Sequence, residues 1–309
     1  MFENPYHNFQ HAVDVTQTVF VLAKESGMLA RIDPWDRAAL LVAALCHDLE
    51  HPGVSNPFIA RAGQKIAGAF KDALLEKHHA LRAFEVMVDS SVGLLQGLST
   101  EQYWRFRNTV QGCILATDFA RHARFLEKAR SLDAVRLEER PLQLEMELII
   151  KAADISNVVK PFAVARRWAL RVTDEFFMQG DVEREQGMDL TPSCDRFVQS
   201  RVALQKGFID HVTAPYFAAI SRVFPSLARF EAQMKDNRAS WELIDDAALE
   251  EFRDWDEATL EADDLPDDED ECMASIAVEV EPSQNRPPGL TRMLARSATV
   301  PLHCRRCSP

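Results

Sequence analysis

The chain carries, at positions 47–56, the run His47-Asp48-Leu49-Glu50-His51-Pro52-Gly53-Val54-Ser55-Asn56, directly after the apolar segment Ala38 to Cys46. An apolar helix that ends in this run presents two imidazoles and a carboxylate at one place, and these are donors from which a hydrolytic metal site can be built. Taken alone, the same residues are equally typical of a helix end whose polar side chains meet solvent.

Two more clusters of ligand-type residues lie on predicted helices. His7 and His11, in the segment Tyr6 to Ala12, are four residues apart, so both rings lie on one helical face. Asp154 follows the apolar helical stretch Leu142 to Ala153. Three such clusters favour a metal site over three unrelated groups of polar residues.

Composition and periodicity predict an all-α protein. The 309 residues are 47% hydrophobic, which is ample for a buried core. From Asn8 to about Trp255 the apolar residues recur at helical spacing without sustained alternation, which indicates a compact multi-helix bundle over residues 1–255. Residues 256–309 are acidic and then rich in Pro, Ser and Arg, a composition that predicts a disordered tail.

Charge, hydropathy and cysteine usage exclude several classes of protein. The net charge of −13 argues against a nucleic-acid-binding protein, which needs a basic surface. The apolar runs are shorter than the roughly 18 residues of a membrane span, so no integral membrane segment is expected. The six cysteines lack a disulfide-like spacing. We therefore expect a soluble protein in a reducing compartment, the cytoplasm.

The three clusters belong to a series of motifs that resembles the catalytic domain of class I 3′,5′-cyclic nucleotide phosphodiesterases, a helical bundle of the HD-domain type. The resemblance extends from Pro5 to about Trp241. The motifs, in chain order, are YHNxxHA at Tyr6, HDxxHPGxxN at His47, LExHH at Leu75, LATD at Leu115, ADISN at Ala153, EFFxQGDxERExGM at Glu175, and QKGFID at Gln205.

The resemblance implies a two-metal site. His11, His47, Asp48 and Asp154 match the family's ligands for a tightly bound Zn²⁺. Asp48 would also reach a second cation, Mg²⁺ or Mn²⁺, that is held mainly by water. Mixed imidazole and carboxylate donors suit such cations better than they suit metals that prefer thiolate. From the residues alone, His11 could instead line a polar helix face, and Asp154 could be an ordinary helix-end carboxylate.

The resemblance also implies the catalytic groups. His7 matches the general acid that protonates the leaving 3′ oxygen, and Glu76 would orient His7 and favour its charged form. His51 and Thr117 would hold water molecules on the metal ions. Without the resemblance, Glu76, beside Lys77 and His78, could instead be a solvated residue near a helix end.

A pocket for the purine base is implied as well. Gln205 matches the glutamine that hydrogen-bonds the base, and Val172 and Phe208 match the apolar residues on its two faces. Tyr6 and Asn157 would lie beside them. Because a glutamine amide can present donor and acceptor in either orientation, Gln205 does not discriminate adenine from guanine. Periodicity alone would assign Val172 and Phe208 to the core.

The leading hypothesis is hydrolysis of a cyclic nucleotide, cAMP or cGMP or both, to the 5′-monophosphate. Two alternatives stay open: an HD-superfamily phosphohydrolase that acts on another nucleotide, and an inactive, truncated form that binds a nucleotide or a partner as a regulator. Only Met1 to Pro5 precede the first motif, where the family has several helices. The apolar faces that those helices would cover are therefore expected to meet water, a protein partner or a second copy of the chain.

Overall fold

The structure is a computed structural model that describes residues 4–63, 65–89 and 92–253. All regular secondary structure in these residues is helical. This part of the chain contains no strand, and the predicted all-α fold is confirmed. The predicted tail, 256–309, lies outside the described residues. The α-helices are α1 Phe9–Glu25, α2 Pro34–Cys46, α3 Asn56–Arg61, α4 Lys65–Ala69, α5 Leu74–Val88, α6 Thr100–Thr117, α7 His122–Leu132, α8 Leu142–Asp154, α9 Phe162–Glu185, α10 Arg201–Phe208, α11 Ala214–Val223, α12 Ala228–Ser240 and α13 Asp246–Glu250.

Local sequence sets where the principal helices begin. The Asn8 side chain accepts a hydrogen bond from the backbone N–H of His11 and so caps α1. Asp33 caps α2 in the same way, with Pro34 at the first helical position. At the start of α6, Ser99 and Gln102 form a reciprocal capping box. Each cap satisfies backbone donors that a helix leaves unpaired at its first turn.

Helices α1, α2, α6 and α8 pack against one another and form the core of the described residues. Leu148, Ile149 and Ile150 follow one another on α8, and all three are fully buried, so protein surrounds this half of the helix on every side. Burial of each such side chain contributes about 1.5–3 kcal/mol. Asp154, a predicted metal ligand, is the last residue of this closely packed helix.

No helix in residues 4–63, 65–89 and 92–253 combines the length and the apolar character that crossing a bilayer requires.

Close packing of α9 against the short turn Pro192–Cys194 leads to a stability prediction at Gly180. Replacing glycine by alanine inside a helix ordinarily stabilises the helix by about 1 kcal/mol. At Gly180, however, a Cβ would lie 2.0 Å from the carbonyl oxygen of Cys194, a backbone atom that cannot rotate away. We expect Gly180→Ala to lower the free energy of unfolding by about 3 kcal/mol, measured by urea denaturation.

Gly207 in α10 provides the matched control, because a Cβ there meets nothing within 4 Å. Gly207→Ala is expected to leave the stability unchanged or to raise it by up to about 1 kcal/mol. Equal stabilities of the Gly180→Ala and Gly207→Ala proteins would contradict the packing of α9 described above.

Candidate metal centre and catalytic site

The structure brings the four predicted metal ligands to one point. His11 comes from the first turn of α1, His47 and Asp48 directly follow α2, and Asp154 ends α8. Asp48 Oδ2 lies 3.0 Å from His47 Nε2 and 3.4 Å from His11 Nε2. Asp154 Oδ1 lies 3.3 Å and 3.4 Å from the same two nitrogens. All four donor atoms lie within 4.8 Å of one another, which suits a single cation.

The orientation of these side chains also fits a metal ion. Nδ1 of His47 hydrogen-bonds to the carbonyl oxygen of Ala44 at 2.7 Å, so this nitrogen carries the hydrogen and Nε2 points into the cluster. His11 Nε2, His47 Nε2 and Asp48 Oδ2 are buried, and within the described residues none of them makes a hydrogen bond. Buried polar atoms without partners are costly, and a cation bound between them would satisfy all three.

The electrostatics of the cluster favour positive charge. Burial by itself would raise the pKa of Asp48 and Asp154, but the neighbouring histidines hold the pKa of both carboxyls below its ordinary value. Burial likewise opposes charge on His47, yet Asp48 and Asp154 raise its pKa well above the ordinary value. The two carboxylates thus attract either protons or a cation, so metal binding here competes with protons.

His7 is oriented by Glu175, and the prediction that Glu76 does so is wrong. Glu175 Oε1 forms a short hydrogen bond with Nδ1 of His7. Glu175 Oε2 accepts hydrogen bonds from the backbone N–H groups of Tyr6 and His7, both at 3.0 Å. One carboxylate of α9 therefore holds both the ring and the backbone of His7.

Glu76 lies at the start of α5 and is paired with Asn56. Asn56 Nδ2 donates to both carboxylate oxygens of Glu76, at 3.0 and 3.2 Å, while Asn56 Oδ1 accepts from the backbone N–H of Leu75 at 2.9 Å. Asn56 thus caps α5 from another segment. Burial and the nearby Asp118 raise the pKa of Glu76 to about 7. Because its carboxylate is held by Asn56, Glu76 does not orient His7.

The two carboxyl partners could not be distinguished by sequence reasoning, although both lie in recognised motifs. Glu175 is 168 residues from His7. A spacing argument within one motif contains no information about which distant carboxylate reaches a given ring.

The pKa of His7 is raised to about 9. Burial lowers it, but Glu175 and Asp48 more than offset this effect, so His7 carries a proton at neutral pH. Because Nδ1 is engaged by Glu175, the Nε2 hydrogen is the one available for donation. The side chain remains 22% exposed, so a ligand can reach it.

His51 lies against His7. The two rings stack with centroids 3.9 Å apart, and His51 Nδ1 accepts a hydrogen bond from the backbone N–H of Gly53 at 3.1 Å. Burial and the charge of His7 hold the pKa of His51 well below its ordinary value. His51 is therefore neutral, with Nε2–H as its remaining donor.

His79 completes this row of rings, and sequence reasoning assigned it no role. It is fully buried, hydrogen-bonds to the carbonyl oxygen of Leu49 through Nδ1 at 2.7 Å, and places Nε2 3.9 Å from Asp48 Oδ1. No described residue hydrogen-bonds to this Nε2. The sequence did contain a pattern that could have identified His79. It belongs to the LExHH motif and lies three residues after Glu76, so both side chains are on the same side of α5.

Thr117 is the last residue of α6. Its hydroxyl donates to the carbonyl oxygen of Ile114 at 2.8 Å. The buried Lys151 binds the carbonyl oxygens of Ala116, Thr117 and Asp118 at 3.1–3.4 Å. Lys151 thereby ties the end of α6 to the last turn of α8, which carries Asp154.

The predicted base-binding residues fall into two groups. The ring of Tyr6 packs on that of His11, with centroids 4.5 Å apart, and Asn157 lies in the short turn Ser156–Val159 that follows α8. Val172 is on α9, one turn before Glu175, and Gln205 and Phe208 are on α10, which contacts α9. Gln205 is buried, and its carboxamide hydrogen-bonds to none of the described residues.

The spacing of the polar residues in the motif that begins at Glu175 places them on one face of α9. Glu175, Gln179 and Glu183 follow one another at intervals of four, so they lie on one face of α9. Gln179 accepts from the backbone N–H of Ser55 at 2.8 Å, and fully buried Glu183 pairs with Arg61 at 2.6 Å. One face of α9 therefore binds both the His7 segment and the segment that follows His51.

The sequence is similar to that of cyclic nucleotide phosphodiesterases over most of its length. Residues 6–234 match the family described as 3′5′-cyclic nucleotide phosphodiesterase. The chain is 34% identical over 244 residues to the 3′,5′-cyclic-nucleotide phosphodiesterase regA of Dictyostelium discoideum, covering 77% of this chain and 31% of that protein. It is 33% identical over 256 residues to the human high affinity cGMP-specific 3′,5′-cyclic phosphodiesterase 9A, covering 80% and 43%.

A relative of different stated specificity is equally similar. The mouse 3′,5′-cyclic-AMP phosphodiesterase 4C is 33% identical over 245 residues, covering 75% of this chain and 36% of that protein. The chain spans less than half the length of these curated relatives. Among solved structures, that of LmjPDEB1 in complex with IBMX matches with a TM-score of 0.74 and 34% identity, covering 78% of this chain and 75% of that one.

Proposed function

Because this chain belongs to the 3′,5′-cyclic nucleotide phosphodiesterase family, we propose that it hydrolyses a 3′,5′-cyclic nucleotide to the 5′-monophosphate. The observation that carries the proposal is the convergence of four metal-ligand atoms within 4.8 Å, near a charged and accessible His7. This arrangement combines a cation site with a proton donor, the two features that phosphodiester hydrolysis requires.

The ligand assignment follows from the donor atoms. His11, His47, Asp48 and Asp154 would hold Zn²⁺, since two imidazoles and two carboxylates suit that ion. Asp48 also faces His79 and would contribute to a second site for Mg²⁺ or Mn²⁺. When bound, the two cations would polarise the phosphate and lower the pKa of an attacking water to about 7.

His7 would act as the general acid. As water oxygen bonds to phosphorus and the bond from phosphorus to the 3′ oxygen breaks, the Nε2 proton of His7 moves to that oxygen. Glu175 keeps Nδ1 engaged and favours the charged ring. His51 and Thr117 would hold water molecules on the cations, and His79, whose Nε2 lies 3.9 Å from Asp48 Oδ1, would share that role.

The substrate specificity would be set by α9 and α10. Gln205 is buried, and its carboxamide, which bonds to no described residue, could pair with a purine edge, with Val172 and Phe208 on the two faces of the ring. The amide can be turned to suit adenine or guanine. Both cAMP and cGMP are therefore candidate substrates, in agreement with the differing names of the similar proteins.

Turnover assays of the purified chain test this proposal. We expect conversion of cAMP, cGMP or both to the 5′-monophosphate, its loss on treatment with a chelator, and its return when zinc and magnesium are added. Failure of folded, metal-supplemented protein to turn over either nucleotide would refute the proposal. Chelator-sensitive hydrolysis of another nucleotide alone would favour an HD-superfamily phosphohydrolase instead.

A further inference from the structure

Arg201, the first residue of α10, has an unusually well-enclosed guanidinium group. Its side chain is only 11% exposed, and it reaches across to one turn of α9. Nη1 donates to the carbonyl oxygen of Leu170 at 3.3 Å and forms a short hydrogen bond with the hydroxyl of Thr173. Nη2 donates to Asp174 Oδ1 at 2.8 Å. Three residues of a single helical turn are thus bound by one side chain.

The remaining edge and one face of this guanidinium are occupied as well. Nε lies 2.8 Å from Glu250 Oε1 on α13, and the group lies over the ring of Phe177, 4.6 Å from its centroid. A planar guanidinium held on several sides in this way has a fixed orientation. Arg201 therefore fixes the distance between α10 and the bound turn of α9.

That turn and that helix carry the two sides of the base pocket. Val172 lies inside the turn Leu170–Asp174. Gln205 is one turn beyond Arg201 on α10, on the same helical face, and Phe208 ends the helix. The spacing that Arg201 sets between the helices is therefore the spacing between Val172 on one side and Gln205 and Phe208 on the other.

We propose that Arg201 is a positioning residue for substrate binding, which holds α9 and α10 at the separation that the nucleotide base requires. The inference rests on the proposed function, because it takes Val172, Gln205 and Phe208 as the base pocket. The four predicted metal ligands and His7 make no contact with Arg201 among the described residues, and Glu175, which follows the bound turn, is held separately by its hydrogen bonds to Tyr6 and His7. Loss of Arg201 should thus affect the binding of substrate more than the chemical step.

Helix α10 has an independent anchor, which makes the variant interpretable. Asp246 Oδ1 accepts hydrogen bonds from the backbone N–H of Val202 at 2.8 Å and from the hydroxyl of Ser200 at 3.1 Å. Ser200 in turn caps the helix through the N–H of Ala203. These contacts remain when Arg201 is replaced, so α10 should stay folded and shift only relative to α9.

Arg253 provides a matched control. It pairs with the same two carboxylates, Asp174 at 2.6 Å and Glu250 at 2.5 Å. It is 40% exposed, however, and makes no hydrogen bond to Leu170 or Thr173 among the described residues. Arg253→Met removes the same charge from the same ion-pair network without releasing the turn that contains Val172.

The test compares kcat and KM for the preferred cyclic nucleotide in the whole, metal-supplemented chain. Misplacing a binding group by about 1 Å can cost up to about 10²-fold, so we expect Arg201→Met to raise KM about tenfold. We expect kcat to stay within about threefold, because an interaction made equally in ground and transition states affects KM alone. Arg201→Lys, which keeps the positive charge but loses the planar arrangement of several N–H donors, should give an intermediate KM.

Arg253→Met should leave KM close to that of the unaltered chain. Equal KM increases in Arg201→Met and Arg253→Met would overturn the inference, because general loss of the ion-pair network would then explain them. A fall in kcat at unchanged KM would also overturn it. If Arg201→Met does not fold, as judged by circular dichroism, Arg201→Lys and Arg201→Gln take its place. Absence of turnover in the unaltered chain would refute the proposed function instead.

Discussion

Replacing Asp154 by alanine is expected to remove bound zinc and to reduce turnover of the cyclic nucleotide by about 10³-fold or more. Asp154 supplies one of four donors, and its Oδ1 lies near both His11 Nε2 and His47 Nε2. Cations contribute several kcal/mol to such a reaction. At about 1.4 kcal/mol for each factor of ten, a loss of about 4 kcal/mol corresponds to the expected reduction.

The measurement is elemental analysis of dialysed protein together with the turnover assay. Asp133→Ala is the control, because Asp133 is an exposed carboxylate at the end of α7 and makes no contact with the cluster. The control protein should keep both zinc and activity. Full zinc occupancy in Asp154→Ala would show that the ligand assignment is wrong.

Removing the proton donor should have the next largest effect. We expect His7→Ala to lower kcat by about 10²–10⁴-fold, the range that general acid catalysis contributes. Metal content should be nearly unchanged, because His7 is not among the four clustered ligands. Loss of zinc from His7→Ala to the same degree as from Asp154→Ala would argue against the separate roles proposed for these residues.

Glu175→Gln extends this prediction to pH dependence. The charged form of His7 is the acid, and Glu175 is the main group that raises its pKa to about 9. Neutralising Glu175 lowers that pKa towards the ordinary value of 6.5, so His7 loses its proton at lower pH. Activity should therefore decline at lower pH on the alkaline side of the kcat profile than it does in the unaltered chain.

Glu76→Gln is the matched comparison, since it makes the same chemical change at the carboxylate that Asn56 holds. The position of its alkaline decline should not move. A shift in Glu76→Gln but not in Glu175→Gln would show that the sequence-based assignment of Glu76, and not the structural one, is correct.

Sequence reasoning singled out the four converging residues because the resemblance implied them as ligands and each lies in a short motif on or beside a predicted helix. The apolar stretches before His47 and Asp154, and the four-residue spacing of His7 and His11, are local patterns that predict helices with polar ends. The all-α fold follows from the same periodicity. The sequence did not predict which distant motifs contact each other. The partner of His7 is the example: Glu76 was predicted, and Glu175 forms the hydrogen bond.

The sequence by itself determined the donor atoms, the helices and the family, because side-chain chemistry and helical periodicity depend on residues close together in the chain. Only the tertiary structure decided that Glu175 holds His7, that Asn56 holds Glu76, and that Arg201 joins α10 to α9. These pairs are separated by 168, 20 and roughly 30 residues. Which side chains meet over such distances depends on the packing angles and offsets of helices, which are set by the whole core and not by any one motif.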